Sequence, residues 1–271
     1  MDNIKNEILA LHSVRKTEEI DFNSEVRLRI EYLKDYLKQS NMSGYVLGIS
    51  GGVDSTTSGK LCQIACSELR AEGYDAKFYA VRLPYHVQQD EEDAQKSLDF
   101  INPDEIITVD IGDATNAIHF QLSTLCKNIF HSDFNKGNVK ARMRMIAQYD
   151  IAGLTNSLVV GTDHNSELVP AFYTKWGDQA CDIVVLNGLN KRQVRKLAET
   201  LGAPETLFKK VPTADLEDYK PLNPDEKALG FSYDDLDDFL EGKPINDEIL
   251  KKIVNQFDKT RHKRNWPVSF G

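Results

Sequence analysis

The stretch Tyr45-Val-Leu-Gly-Ile-Ser-Gly-Gly-Val-Asp-Ser-Thr-Thr57 constrains this chain more than any other. Its apolar run, Tyr45 to Ile49, reads as a short buried strand. Apolar spacing resumes at Leu61, Ile64, Ala65 and Leu69 with a helical period. A strand that runs through glycines into a helix N-terminus makes a phosphate site. The glycines let backbone approach an anion, and the first helical N–H groups and the dipole favour negative charge. Ser50, Ser55, Thr56 and Thr57 add hydroxyl donors, and Asp54 adds a carboxylate suited to Mg²⁺ beside the phosphates. A Walker A loop is excluded, because Gly59-Lys60 is followed by Leu61 and lacks the upstream glycine; G-x-G-x-x-G is absent too. With no lysine in the loop, backbone and hydroxyls donate and a metal supplies positive charge. The competing reading is an ordinary glycine turn capped by Asp54 or Ser55.

The rest of the chain alternates. Helical spacing over residues 21–40 precedes the 45–49 strand, and a helix is expected over 55–72. Further strands are expected at 77–83, 106–109 and 158–161, and further helices at 88–100, 113–129, 138–152 and 190–201. This pattern predicts an α/β fold, a doubly wound parallel sheet with helices on both faces and ligands beyond the carboxyl ends of its strands. Its 271 residues suit a single domain, 1–271, and the proline-bearing, aperiodic segment 203–224 reads as a mobile lid. A net charge of −9 gives no basic footprint for nucleic acid. No apolar run approaches membrane-spanning length and Met1-Asp-Asn-Ile-Lys5 has no signal-peptide character, so the cytoplasm is the expected compartment. Cys62, Cys66, Cys126 and Cys181 form no C-x-x-C pair and read as reduced structural thiols.

Other motifs fall at the ends of the expected strands. Gly161-Thr-Asp-His-Asn-Ser-Glu167 offers Thr162 to a phosphate or adenine edge and Glu167 as a second Mg²⁺ carboxylate. His164 reads as a structural hydrogen-bonding residue rather than a base. On the 138–152 helix Lys140 and Arg144 share a face and Arg142 points elsewhere, a pattern equally suited to a solvated basic face. Phe172-Tyr-Thr-Lys-Trp-Gly-Asp178 with Asp182 could stack a ring and accept from ribose hydroxyls; the competing reading is a hairpin with packed aromatics. Lys191-Arg192 open a helix, where cations oppose the dipole by about 0.3–1 kcal/mol, which points to an anionic partner. Thr213, in Pro212-Thr-Ala-Asp-Leu216, could meet a phosphate, and Arg261-His-Lys-Arg264 reads by composition as a solvated charge run.

The SGGVDS loop resembles the pyrophosphate loop of the N-type ATP pyrophosphatases, which have the adenine nucleotide alpha hydrolase-like fold. The ordered set SGGVDS, VRLPYHVQQDEEDA, DFNKGNVKARMRMIAQY, GTDHNSE, FYTKWGD, NKRQVRKL, PTADLEDYKP, LGFSYDDLDDFLEG and RHKR resembles the ammonia-dependent NAD⁺ synthetase family, from about residue 20 onward. The resemblance implies a ligase that forms NAD⁺ from deamido-NAD⁺ and ammonia in the last step of NAD biosynthesis. An adenylated intermediate forms first, and AMP and pyrophosphate leave.

It also implies roles for particular residues. Gly48, Ile49, Ser50, Gly51, Gly52, Val53, Asp54 and Ser55 hold ATP, with Thr162, Lys191 and Thr213 touching it. Asp54 and Glu167 hold Mg²⁺, and Arg142, Lys175, Asp182, His262 and Lys263 contact deamido-NAD⁺. The family is a homodimer with the dinucleotide site at the subunit interface. Asn165-Ser166, Gln179, Cys181 and Asn190 depart from the family pattern without removing a named ligand. No added domain with a nucleophilic cysteine is expected, so ammonia rather than glutamine is the nitrogen source. Asp178 is the candidate that binds ammonium and takes its proton; capping the Trp176-Gly-Asp turn is its bland alternative. A thiolating pyrophosphatase acting on tRNA lacks its paired cysteines here. A nucleotide-binding module without turnover is the remaining alternative.

Overall fold

The computed structural model describes residues 1–86, 91–125, 132–214, 218 and 223–270, with the side chains of Thr213, Ala214 and Asn223 outside that description. Helix α1 (Asp2–His12) and α2 (Phe22–Ser40) lead into β1 (Gly44–Gly48) and α3 (Val53–Ala71). Then follow β2 (Lys77–Arg82), α4 (Glu91–Ile101), β3 (Glu105–Thr108), α5 (Gly112–Leu125), α6 (Asp133–Thr155) and β4 (Leu158–Gly161). The second half holds α7 (Asn165–Leu168), β5 (Ile183–Val184), α8 (Lys191–Thr200), α9 (Glu205–Phe208) and the short pair β6 (Thr213–Ala214) and β7 (Asn223–Pro224). It closes with α10 (Asp225–Leu229), α11 (Tyr233–Leu240), α12 (Asp247–Lys259) and α13 (Arg261–Arg264).

The five main strands form one sheet in the order β3-β2-β1-β4-β5, with every pairing parallel. Chain order reverses between β1 and β4, so these two ends flank the switch-point crevice where such sheets bind ligands. Alternation of side chains splits the strands between two cores. Tyr45, Leu47 and Ile49 point with Phe78 and Ala80 toward α2, α3, α4 and α8. Val46, Val81 and Val159 point the other way, toward Ile151 and Ala152 of α6. Tyr45 is fully buried and spends its hydroxyl on Leu33 O at 2.7 Å, so burial leaves no polar debt. A satellite core joins α1, α11 and α12 through Ile8, Leu236, Ile253 and Phe257.

The expected elements are present, with ends shifted by a few residues. Residues 87–90, 126–131, 215–217 and 219–222 lie outside the described residues, which leaves the expected helix starts and ends at 88 and 129, Cys126 and much of the 203–224 segment undescribed. The hairpin alternative for 172–182 does not hold: that segment is a succession of turns, with Trp176 at φ +59° and Gly177 N–H closing onto Thr174 O. Cys62 and Cys66 are free and buried, and burial pushes both thiols up, that of Cys66 to about 12.

Candidate active site

The loop after β1 is open at its helix end. Gly52 is the N-cap of α3 and brings no side chain to cap the helix, while of the two expected turn caps Ser55 does bond the loop. Ser55 Oγ turns back to it, accepting from Ser50 N–H at 3.3 Å and donating to Gly52 O at 3.1 Å. Gly51 sits at φ +86°, and a Cβ there would come within 2.7 Å of Ala94 N on α4. Both backbone strain and space therefore require glycine at that position. Gly48 N–H, at the carboxyl end of β1, donates to Gln148 Oε1 of α6 at 2.7 Å.

Across the crevice, β4 delivers His164 and Glu167 opposite Asp54. One ligand atom from each of these three lies within 4.8 Å of the others, a spacing that can hold a metal ion. Asp54 Oδ1 is buried and has no hydrogen-bond partner among the described residues, with His164 Nε2 standing 3.3 Å away. That orphan oxygen, two carboxylates and an imidazole together suit a hard divalent cation. His164 is fully buried and 3.5 Å from Glu167 Oε1, placing it inside the constellation rather than behind it.

Lys191, at the start of α8, is 1% exposed. Its Nζ stands 2.7 Å from Asp54 Oδ2, 3.4 Å from His164 Nε2 and 3.5 Å from Glu167 Oε1. Burial works against the charges of Asp54, Glu167 and Lys191. For Asp54, burial is outweighed by the Lys191 ammonium and His164, so the carboxyl sits below its ordinary range. For Glu167, burial wins and pushes the carboxyl up to about 7. The Lys191 ammonium is held above its ordinary value by Asp54 and Glu167 despite burial. Burial and the neighbouring Asp178 and Asp54 charges raise Asp163 to about 8. Titratable groups shifted this far and gathered at a crevice mark a functional site.

A cleft of about 310 Å³ opens here, and its walls include Gly48, Ile49, Ser50, Gly52, Val53, Asp54, Ser55, Thr162, Glu167, Asp178 and Lys191. Of the residues expected to hold ATP, Gly51 lies behind the wall against α4, and the side chain of Thr213 is outside the described residues. The cleft also uses Arg82, Arg144, Gln148, Lys210 and Asp225, none of which the sequence reading assigned to the site. Arg82 had a usable signal, as an arginine at the end of an apolar strand. Its guanidinium donates to Ile49 O and pairs with Glu91 at 2.6 Å. Gln148 carried no local signal, because its part depends on α6 crossing the end of β1.

The residues expected to contact the dinucleotide stand outside the cleft walls. Arg142 is exposed and donates to Lys175 O at 3.2 Å; Lys175 Nζ donates to His262 O at 2.5 Å and Asn265 O at 2.9 Å. Lys263 Nζ bonds the carbonyls of Ala171 and Tyr173 at 3.0 and 2.7 Å. These residues form one seam, joining α13 to the 171–175 loop beside the Trp176–Trp266 pair, whose ring centroids are 6.1 Å apart. Asp182 lies apart from them, accepting from Val159 N–H at 2.8 Å and Tyr149 O–H at 3.4 Å. Asp178 is exposed and lines the cleft while its Oδ1 accepts from Thr174 N–H at 2.8 Å, so it does cap the turn.

Two composition-level readings are corrected. The face that Lys140 and Arg144 share is not solvated: Lys140 is buried against Asp218 at 2.5 Å and Arg144 Nε donates to Leu83 O at 3.1 Å. The 261–264 run is likewise a set of contacts, with Arg264 donating to Val169 O at 3.0 Å and its guanidinium 3.7 Å from the Phe257 ring.

A glycine-bearing helix N-terminus and a carboxylate–histidine–lysine cluster meet at the switch point of a parallel sheet, the place where α/β proteins of this class bind their ligands. The chain belongs to the NAD synthase family, whose model matches residues 25–267. It is 50% identical to the NH(3)-dependent NAD(+) synthetase of Rhodococcus opacus over 274 aligned residues, covering 99% of this chain and 98% of the relative. Among solved structures, the NAD⁺ synthetase from Burkholderia pseudomallei superposes with a TM-score of 0.82 at 45% identity, covering 97% of this chain and 96% of that one. The NMN synthetase from Francisella tularensis superposes with a TM-score of 0.80 at 31% identity, covering 93% and 99%.

Proposed function

We propose that this protein is a ligase that amidates deamido-NAD⁺ to NAD⁺ with ammonia, consuming ATP in the last step of NAD biosynthesis. A carboxylate is inert to amines, so the nicotinate carboxylate first attacks the α-phosphorus of ATP and pyrophosphate departs. Ammonia then attacks the adenylated carbonyl, and AMP leaves. The observation that carries this reading is the meeting of the uncapped α3 N-terminus with Asp54, Glu167 and Lys191 in one cleft.

In this reading Gly48 to Ser55 cradle the triphosphate, with Thr162, Lys191 and Thr213 completing the ATP contacts. Asp54 and Glu167 hold Mg²⁺, which neutralises phosphate charge when bound, and His164 is close enough to join them. The chain's own work is positioning: backbone N–H groups and the Lys191 ammonium fix the phosphates for in-line attack. Arg142, Lys175, His262 and Lys263 border the dinucleotide pocket and Asp182 serves its ribose. Asp178 receives ammonium through the oxygen that Thr174 leaves free and takes its proton.

The residues 203–224 act as a lid over a single domain, pinned to α6 by Asp218, which meets Lys136 at 2.6 Å and Lys140 at 2.5 Å. A homodimer brings the dinucleotide pocket to the subunit interface. Apolar residues left exposed on α5, with Ile118, Leu122 and Leu125 on one stripe, support such an interface. No helix among the described residues is long and apolar enough to cross a membrane, and buried thiols at Cys62 and Cys66 suit a reducing cytoplasm.

The deciding assay mixes ATP, Mg²⁺ and deamido-NAD⁺ with ammonium or glutamine and follows pyrophosphate and NAD⁺. Turnover with ammonium and at most slight turnover with glutamine is expected. Nicotinate mononucleotide belongs in the same assay, because the Francisella structure shares this fold at 31% identity. A clear preference for the mononucleotide overturns the choice of substrate, and no pyrophosphate with either substrate overturns the activity.

A further inference from the structure

The two proposed metal carboxylates already have a cation between them. We propose that Lys191 is the resident counter-cation of the Asp54–Glu167 pair, barring free divalent ions until a nucleotide draws its ammonium away. The inference rests on Asp54 and Glu167 being the ligands and adds what governs access to them.

The geometry sets the conflict. A divalent ion on these carboxylate oxygens, at about 2.1 Å from each, competes for lone pairs that now face Nζ at 2.7 and 3.5 Å. An ammonium and a divalent cation crowded onto one carboxylate pair repel strongly in so buried a place. Relief by moving the whole helix is blocked, because the Lys191 backbone N–H is held by Ser166 Oγ at 3.0 Å and Asp237 Oδ1 at 3.3 Å. Only the side chain can turn.

Two features give it somewhere to go. The Tyr233 ring centroid lies 5.1 Å from Nζ, a π-face along which a cation can shift. Asp225 is 7% exposed and lines the same cleft; Tyr233 O–H donates to its Oδ2 at 3.2 Å, while its buried Oδ1 has no hydrogen-bond partner among the described residues. Phosphates entering the cleft supply the second anion. The ammonium then leaves Asp54 for Asp225 and the phosphates, and the divalent ion takes the vacated oxygens. Metal and nucleotide thus bind with positive coupling, and each must raise the affinity of the other by the same factor.

The test uses Mn²⁺ as a paramagnetic probe on the full chain, with free ion read by electron paramagnetic resonance, with and without α,β-methylene-ATP. The wild type should bind Mn²⁺ weakly alone and at least about tenfold more tightly with the analogue, a factor within the usual coupling range. Lys191→Met should bind Mn²⁺ alone at least about tenfold more tightly than the wild type, because the competing charge is gone. Lys191→Arg, which keeps the charge, should stay weak. Removing a buried charge lowers stability, so thermal unfolding supplies a second readout: Mn²⁺ alone should raise the Tm of Lys191→Met and leave that of the wild type nearly unmoved. Lys191→Met binding Mn²⁺ alone no better than the wild type overturns the inference. So does wild-type binding that is indifferent to the analogue. A wild type that ignores Mn²⁺ even with the analogue removes the ligand reading and this inference together.

Discussion

A lysine in the first turn of a helix opposes the dipole, and Lys191 is followed by Arg192. The structure resolves the conflict with anions from elsewhere in the chain. Asp237 accepts from the backbone N–H groups of both residues, at 3.3 and 2.8 Å, and Asp54 takes the Lys191 ammonium. The misplaced charge was legible in the sequence. That its first partners are internal was not, because Asp237 reaches α8 across 45 residues of chain. At this scale two outcomes are expected. Asp54→Ala and Glu167→Ala should each cut pyrophosphate release at least about a hundredfold, more than the loss of a group that merely orients a ligand. The double variant should lose clearly less than the product of the two, since residues serving one ion act as a unit. Near-normal release from Glu167→Ala at saturating Mg²⁺ counts against its role. Asp178→Asn should leave adenylate formation largely intact and slow its conversion to NAD⁺ by about 10²-fold, within the usual range for a positioned base. The variant should recover part of its loss at high pH as free ammonia becomes abundant and the need for a proton acceptor falls. Rapid-quench separation of the two half-reactions checks this; a slowed first step with an unchanged second sinks it.

The elements that carry the proposed phosphate site were legible because they have strong periods and sharp punctuation. β1 is a short apolar run ending in glycines, and α3 shows apolar residues at helical spacing right after it. The two-residue β5 has no period to read, and it exists because Val160 and Gly161 of β4 offer Ile183 and Val184 a register. The α11 helix holds Tyr233 and Asp237, so an unassigned element supplies both the ring and the cap around Lys191. Helices α5 and α6 show the reverse case. A solvated basic face was one reading of Lys140 and Arg144, whereas both face inward and the apolar Ile118, Leu122, Leu125, Ile146 and Leu154 remain exposed. The proposed homodimer would cover these residues with a second copy. Leu122→Glu with Leu154→Glu should then yield monomers by sedimentation and raise the KM for deamido-NAD⁺ at least about tenfold, since charges placed at an apolar interface core cost several kcal/mol. Unchanged mass, or monomers with unchanged KM, separates the dimer from the shared pocket.

For the whole molecule, the sheet order places the mouth of the crevice between β1 and β4, and the C-terminal third of the chain closes around it. Lys210, Val211 and Pro212 already stand in the cleft wall, and β6 pairs with β7 to return the chain to Asp225 in that same wall. Both ends of the 213–224 excursion are therefore anchored at the place where an adenylate must be kept from water. Asp218 ties the excursion to Lys136 and Lys140 of α6, so its position depends on the helix that also carries Arg144 and Gln148 into the cleft. The proposed lid, tied at these points, would close over ligand at little cost in chain entropy and exclude water from a hydrolysable intermediate. Limited proteolysis should accordingly cut within 203–224 in the free protein. Cutting should slow by about tenfold or more with α,β-methylene-ATP plus deamido-NAD⁺, because protection scales with the population of the closed form. Asp218→Ala should restore cleavage in the liganded protein and release AMP without NAD⁺, as water reaches the adenylate. Equal cleavage rates with and without ligands rule out closure. Protection that survives Asp218→Ala removes its tie to α6 from the account.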